Sequence, residues 1–323
     1  MFTEEMPETA EDCYTICGLP VDTSVLFSDK KGRRKKRIEK RKVKLLQKVA
    51  FLAKFLDPDE QIVFVATGCS PFSLLDHFTT GQIWLYLLKR SLFVFTNKRL
   101  FHVPTTTHFE YRQSVAQVLY EDLKGVRVRG GALTLEYQGG GKEKFQGIPR
   151  RDLAIIKQVQ IEACDDEIPS SLPGRNHLCP NCTQVLTAET RACSACGLRF
   201  KTKVGASLRS IFLPGGGYFY TGHPWMGLGD ALVELSLLVF IGAAGAAAGL
   251  LGDPEALEAL LVLAPVLILE KLITIYHANH FVAEFIPAKR QPLPAGTDAP
   301  APPPVEAQMP EQQSPAEEIL SVR

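Results

Sequence analysis

The stretch from Leu235 to Leu251, LSLLVFIGAAGAAAGLL, runs for seventeen residues without a charge. Extended backwards through GDALVE it reaches about twenty residues, the length an α-helix needs to cross roughly 30 Å of hydrocarbon. A second run, Ala259 to Tyr276, is of similar length and is interrupted only by Glu270 and Lys271. Between them GDPEALE supplies a turn with net negative charge. Arg199, Lys201, Lys203 and Arg209 precede the first run, and Lys289 and Arg290 follow the second. The pattern predicts a transmembrane helical hairpin with both ends in the cytoplasm and the acidic turn outside. A buried hairpin in a soluble core is the competing reading, and the Ala/Gly-rich spans with basic flanks speak against it.

Charged groups inside a span are costly, so Asp230, Glu234, Glu270 and Lys271 need an account. Folding the hairpin about residue 254 brings Glu234 level with Thr274, within reach of Lys271, and Asp230 level with Ala278, within reach of His277. Charges paired in this way near the interface would fix the register of the two helices. The sharper reading is a proton or ion path, which needs several chains because two helices enclose no pore.

Upstream lies LCPNCTQVLTAETRACSACG, Leu178 to Gly197. Cys179 with Cys182 and Cys193 with Cys196 form two Cys-x-x-Cys turns, each able to aim two thiolates at one ion while backbone amides face the sulfurs. Two such turns complete a closed tetrahedral site and predict structural Zn²⁺. A closed four-sulfur site has no open position for substrate. The stretch resembles a bacterial zinc ribbon, with partner recognition as the functional alternative to a staple. No secretory signal is expected from the acidic start MFTEEMPETAEDCYTICG, so these cysteines are expected in a reducing compartment, where metal outweighs disulfide. Cys13 and Cys17 lack a second ligand pair and read as ordinary thiols, as do Cys69 and Cys164.

From Gln61 onward the chain alternates short apolar runs with turn residues: QIVFVATG, QIWLYLLK, SLFVFTN, RLFHVP, SVAQVLY, GVRVRG, ALTLEY and EKFQGI. These predict antiparallel strands. PRRDLAIIKQVQIEA, with Leu153, Ile156, Val159 and Gln160 at helical spacing, predicts a closing helix. The glycines of QGGGKEKF lie between two strands and lack the Ser/Thr of a phosphate loop, so a hairpin turn is expected there. DPDEQIVF, LFVFTNKRLFHV, VLYEDLKGVRV and GALTLEY, in that order, resemble bacterial pleckstrin-homology and GRAM-like domains. The resemblance implies a PH-type β-barrel with a C-terminal helix over about residues 57–163. It also marks the turn residues Lys98 and Arg99 as candidates for contact with a lipid headgroup. FLPGGGYFYTGHPWMGLGDAL, with Pro214, Gly215, Gly217, Tyr220 and Gly222, resembles small bacterial membrane domains that open on such a glycine run, and implies architecture only.

Net charge over the 323 residues is +1, which hides a strong asymmetry. Thirteen Lys or Arg residues fall between Lys30 and Lys54 against one acid, Glu39. Leu45, Val49, Leu52 and Leu56 share one face of the predicted helix 30–56. Its basic face, including Lys35, Lys36 and Arg37, could lie on an anionic leaflet, track nucleic-acid phosphates, or stand in solvent while the other face packs on the barrel. The tail 287–323 is Pro-rich and acidic and predicts disorder.

The reading is therefore a multidomain chain. It has an N-terminal segment 1–29, the basic helix 30–56, a PH/GRAM-like domain 57–163 and a linker 164–176. A zinc ribbon 177–200 follows, then a membrane domain 205–286 with helices at about 229–251 and 258–277, and the tail 287–323. No protease, metallohydrolase, P-loop or dinucleotide signature occurs. The expected function is a non-enzymatic, multi-pass protein of a bacterial inner membrane, both termini cytoplasmic, that acts as a binding or scaffolding module. Its expected partners are lipid, a protein of unknown identity and further copies of the chain. A membrane-tethered nucleic-acid binder and an oligomeric small-molecule or ion transporter are the alternatives.

Overall fold

The computed structural model describes residues 14–29, 31–73, 76, 86–158, 174–187 and 190–289. Cys13, Cys164, Val159, Gln160 and the tail beyond Lys289 lie outside them.

The strand-rich half forms three layers. An eight-stranded sheet runs in the order β1 (Tyr14–Ile16), β2 (Leu19–Val21), β3 (Ile62–Cys69), β4 (Arg90–Thr96), β5 (Arg99–Pro104), β6 (Val115–Leu119), β10 (Asn176–Leu178), β11 (Val185–Leu186). A separate three-stranded sheet holds β7 (Leu123–Arg129), β8 (Ala132–Tyr137) and β9 (Lys142–Phe145). β4 shows why the large sheet is covered on both sides. Its run Leu92-Phe93-Val94-Phe95 is fully buried, with alternate side chains entering different cores. Leu92 and Val94 meet α1 (Thr23–Leu26), α2 (Lys36–Lys48) and the 3₁₀ turn Ala50–Lys54 through Leu26, Leu46 and Leu52. Phe93 and Phe95 meet the small sheet and α3 (Arg150–Ile156) through Leu133, Phe145 and Leu153. A strand buried on both faces reads as continuous apolar sequence, and this one does.

The expected PH-type barrel is not formed: no sheet closes among the described residues. The reason lies at the edges. On one side β3 takes β2 as a parallel neighbour through Val21 and Ile62. On the other, β6 takes β10, with Val115 opposite Leu178 and Gln117 opposite Asn176. Both edges are thus satisfied by segments from outside the expected barrel, and the two sheets are bridged only at Cys69 and Gln146 among the described residues. QIWLYLLK also departs from expectation, since Tyr86 to Leu88 are helical. A short apolar run does not by its period distinguish strand from buried helix. The turn at Asn97-Lys98 and the hairpin at Gly140-Gly141 form as expected, both glycines having positive φ.

The helical half begins with α4 (Lys203–Phe212), capped by the Thr202 hydroxyl, which accepts from the Gly205 amide at 3.1 Å. A short α5 (Gly216–Thr221) leads to α6 (Pro224–Leu251) and α7 (Pro254–Val282). Gly252 takes φ +65° and ends α6, Asp253 caps α7 by accepting from the Glu255 amide at 3.0 Å, and Pro254 occupies the first turn. Both long helices are long and apolar enough to cross a membrane. They begin or end several residues beyond the predicted bounds at the end nearest the sheets. The glycines of the connecting stretch allow both a tight turn, with Gly215 and Gly222 at positive φ, and close packing. A Cβ on Gly215 would lie 2.0 Å from the Gly227 carbonyl oxygen, and one on Gly217 2.0 Å from the Ser210 hydroxyl.

Candidate metal centre

Cys179, Cys182, Cys193 and Cys196 converge, one sulfur of each lying within 4.8 Å of all the others. The two knuckles are built alike. The Cys179 amide donates to the Gln184 carbonyl at 2.8 Å and the Thr183 amide to that of Cys179 at 2.9 Å. In the second, the Cys193 amide donates to Leu198 and the Gly197 amide to Cys193, both at 2.9 Å. Each knuckle closes on a residue of positive φ, Thr183 at +64° and Gly197 at +71°. Amides of Asn181 and Cys182 face the Cys179 sulfur, and the Leu198 amide faces that of Cys196. Such amides favour thiolates, the form in which cysteine ligates.

The sulfur separations test the donor set. Cys179 and Cys196 are 3.5 Å apart, and Cys182 and Cys193 3.4 Å. That is far beyond a disulfide at about 2.05 Å. It is close to the roughly 3.8 Å edge of a tetrahedron with metal–sulfur bonds of about 2.3 Å. The four residues can therefore hold a metal ion. Cys17 sits apart in the β1–β2 turn, and Cys69 is buried at the end of β3.

What surrounds the cluster is more telling than the cluster. Its first strand, β10, is the added strand on the β6 edge, so the cysteine module is part of the large sheet. Lys54, at the end of the 3₁₀ turn, donates to the Pro180 carbonyl of the first knuckle. On the opposite side the Lys201 amide donates to the Ile286 carbonyl at 2.9 Å and the Ala288 amide to that of Arg199 at 2.9 Å. Phe200 and Phe285 meet edge to face with centroids 5.7 Å apart, completing the module's small core. The module therefore grips the sheet on one side and the foot of α7 on the other.

No family model matches the chain, and no curated protein or solved structure is detectably similar to it.

The sheet half also touches the helical foot directly, through contacts that short-range sequence patterns do not reveal. Arg112 donates to His223 Nε2 at 2.9 Å and to the Thr221 carbonyl at 2.8 Å. Burial pushes its guanidinium down to about 10. Lys89 pairs with Asp76 at 3.0 Å and lies 2.6 Å from His280 Nε2, and the Ser114 hydroxyl donates to the Glu284 carbonyl. Ser73 and Tyr276 hydroxyls are 3.1 Å apart.

Of the polar residues within the long helices, Glu234 and Lys271 meet as the hairpin register predicts, at 2.5 Å. Lys271 also donates to the Ser210 carbonyl of α4 at 2.8 Å. Asp230 does not meet His277. It accepts from Thr274 at 3.1 Å, and Thr274 donates to Glu270 at 2.8 Å, while His277 Nδ1 lies 2.7 Å from the Tyr218 hydroxyl. Asp230 pairs one turn earlier on α7 than folding about residue 254 gives, because the chain turns at Gly252 and Asp253 and α7 starts at once with Pro254. One carboxylate oxygen each of Asp230, Glu234 and Glu270 lies within 4.8 Å of the others. The group sits at the end of the long helices near the sheets, with Glu270 six residues before Tyr276 on α7.

The candidate lipid contacts divide. Arg99 is bound inward: it pairs with the fully buried Glu60 at 2.6 Å, donates to Gln117 at 2.7 Å and to the Phe55 carbonyl at 3.0 Å. Lys98 pairs with Asp59 at 2.6 Å. On the basic helix, Lys35 pairs with Asp29 at 2.9 Å, while Lys36 and Arg37 are exposed. The apolar face carrying Leu45, Val49 and Leu52 is buried in the core, so it is not a face for inserting into lipid.

Proposed function

We propose that the chain is a non-enzymatic protein of a bacterial inner membrane whose sheet domain and zinc-bearing cysteine module form one binding or scaffolding unit at the cytoplasmic face. The observation that carries this reading is the double attachment of the cysteine module, to β6 through β10 and to the foot of α7 through Lys201, Phe200 and Ala288. A metal bound there clamps the sheet to the hairpin. Four sulfurs leave it no position for substrate.

Exposure of the helices supports the bilayer. Val239 is 68 % exposed, Leu250 84 % and Leu261 70 %, on helices with almost no buried residue in their apolar windows. Apolar surface of that extent is stable in lipid and not in water. Lys201, Lys203, Arg209 and Lys289 gather at the sheet end, and Asp253, Glu255 and Glu258 at the far turn, which supports a cytoplasmic sheet domain. The natural occupant of such a unit is a protein partner held near the membrane.

The test compares the full chain in detergent with the Cys179→Ser/Cys182→Ser variant. The expected result is about one zinc per native chain, lost in the variant. Amide exchange is expected to rise at residues 176–200 and 284–289, with the hairpin still resisting alkaline carbonate extraction. A native chain without metal, or a variant with unchanged exchange, overturns the clamp. One observation favours a second reading, an oligomeric ion pathway: the gathering of Asp230, Glu234 and Glu270. It predicts stable oligomers and liposome flux that Glu234→Gln abolishes, neither of which a scaffold requires.

A further inference from the structure

Between the cysteine module and the foot of the hairpin lies a cleft of about 750 Å³, whose walls include Arg191, Lys201, Lys203, Thr187, Thr190 and Phe285. No described Asp or Glu lines it. Arg175, also in the wall, is already matched by Glu143 at 3.1 Å and Glu284 at 3.5 Å. Arg191, Lys201 and Lys203 have no ion-pair partner among the described residues. More positive charge stands behind them. Lys201 and Arg209 both approach the Tyr220 ring, at 5.5 and 4.1 Å, and Arg112 is held nearby by Thr221 and His223. Burial, then repulsion from Arg112 and Arg209, pushes Lys201 down to about 8. Half-buried Lys201, with Arg112 and Arg209 for neighbours and no counter-charge, is costly to keep charged; an anion in the cleft removes that cost, and the exposed Arg191 and Lys203 stand at the wall to meet it.

The position of the cleft selects among anions. It opens where α7 ends, at Val282 and Ala283, and where α4 begins. From its rim α4 carries an outward stripe of Val204, Leu208, Ile211 and Phe212, exposed by 62, 51, 50 and 75 %. Cations and hydroxyls at the head of an exposed apolar stripe match a phosphate with acyl chains attached. We propose that this cleft binds the phosphate of an anionic phospholipid headgroup, with the acyl chains lying along α4. The inference rests on the hairpin lying in a bilayer, and carbonate extraction reports that separately.

The experiment is native mass spectrometry of the full detergent-purified chain titrated with phosphatidylglycerol, phosphatidylcholine or inorganic phosphate. The expected result is one phosphatidylglycerol retained per chain, at least about tenfold over phosphatidylcholine. Arg191→Gln/Lys201→Gln/Lys203→Gln is expected to lose that preference. Lys124→Gln/Lys144→Gln, on the exposed small sheet, is expected to keep it. If the triple variant lacks metal or a thermal transition, Lys201→Gln and Arg191→Gln are read singly, each expected to weaken retention several-fold. Equal retention of both lipids, retention unaltered by the cleft variants, or stabilisation by inorganic phosphate without lipid retention overturns the proposal.

Discussion

At the scale of single residues, the two knuckles make the same turn with different side chains. Gly197 adopts its positive φ without cost, whereas Thr183 is β-branched and strained there. Thr183→Gly is therefore expected to raise the melting temperature of the metal-loaded chain, and Gly197→Ala to lower it, each by about 1 kcal/mol in stability. A buried lysine gives a second residue-level prediction. Lys42 is 3 % exposed, pairs with Asp152 at 3.3 Å, donates to the Val65 carbonyl and lies 3.6 Å from the Phe64 ring centroid. Burial pushes its ammonium down to about 8 from an ordinary 10.5, only partly offset by Asp152. Between those values the unfolded chain holds the extra proton, so this contribution makes stability rise with pH across the window; below about 8 the penalty is fully present. Unfolding of the native chain and of Lys42→Met at pH 7.5 and 9.5 checks it. The rise is expected to be absent in the variant. Asp152→Ala, which leaves the ammonium buried alone, is expected to cost about 3 kcal/mol or more at pH 7.

At the scale of elements, the stretch from α4 to the start of α6 folds back against the hairpin because glycine permits it. Gly215 at φ +66° abuts Gly227, Gly216 abuts the Arg209 carbonyl, and Gly217 abuts Ser210. Gly217→Ala is expected to separate α4 from α5 and lower the melting temperature in detergent by more than the roughly 1 kcal/mol of an ordinary helix substitution. Gly229→Ala, with open space around its Cβ, is expected to be tolerated. Displacing α4 also removes the Ser210 carbonyl from Lys271. The paired charges of α6 and α7 make a related prediction. Lys271→Met leaves three carboxylates near one another without a cation and is expected to destabilise the hairpin more than Glu234→Gln, which removes one of them. Thermal unfolding of both variants in one detergent decides the order.

At the scale of the whole molecule, several contacts join the sheet half to the helical half: the cysteine module, Arg112 with His223, Lys89 with His280, and Ser114 with Glu284. Only the first includes residues that can hold a metal. Chelation is therefore expected to loosen the joint without releasing the sheet domain. Proteolysis should quicken near residues 187–200 after chelator, and added Zn²⁺ should reverse it. Arg112→Met together with chelation is expected to loosen the joint further than either alone, read as faster cleavage near residues 187–200, with Lys89 and Ser114 still holding the helical foot.

The sequence by itself determined the features that depend on spacing along a few turns of chain. These are the two apolar spans and their Gly-Asp-Pro turn, the two cysteine knuckles, most strands between Ile62 and Phe145, and the meeting of Glu234 with Lys271. Periodicity and spacing are local quantities, so one strand of text carries them. Tertiary structure alone decided which segments occupy the sheet edges, and so why no barrel closes. It also buried the apolar face of α2 in the core, turned Arg99 inward to Glu60, joined Lys42 to Asp152 and set the cysteine module against the foot of α7. Each is a pairing between residues far apart in the chain, chosen by which surfaces remain uncovered once the local elements have formed. No local pattern records that choice.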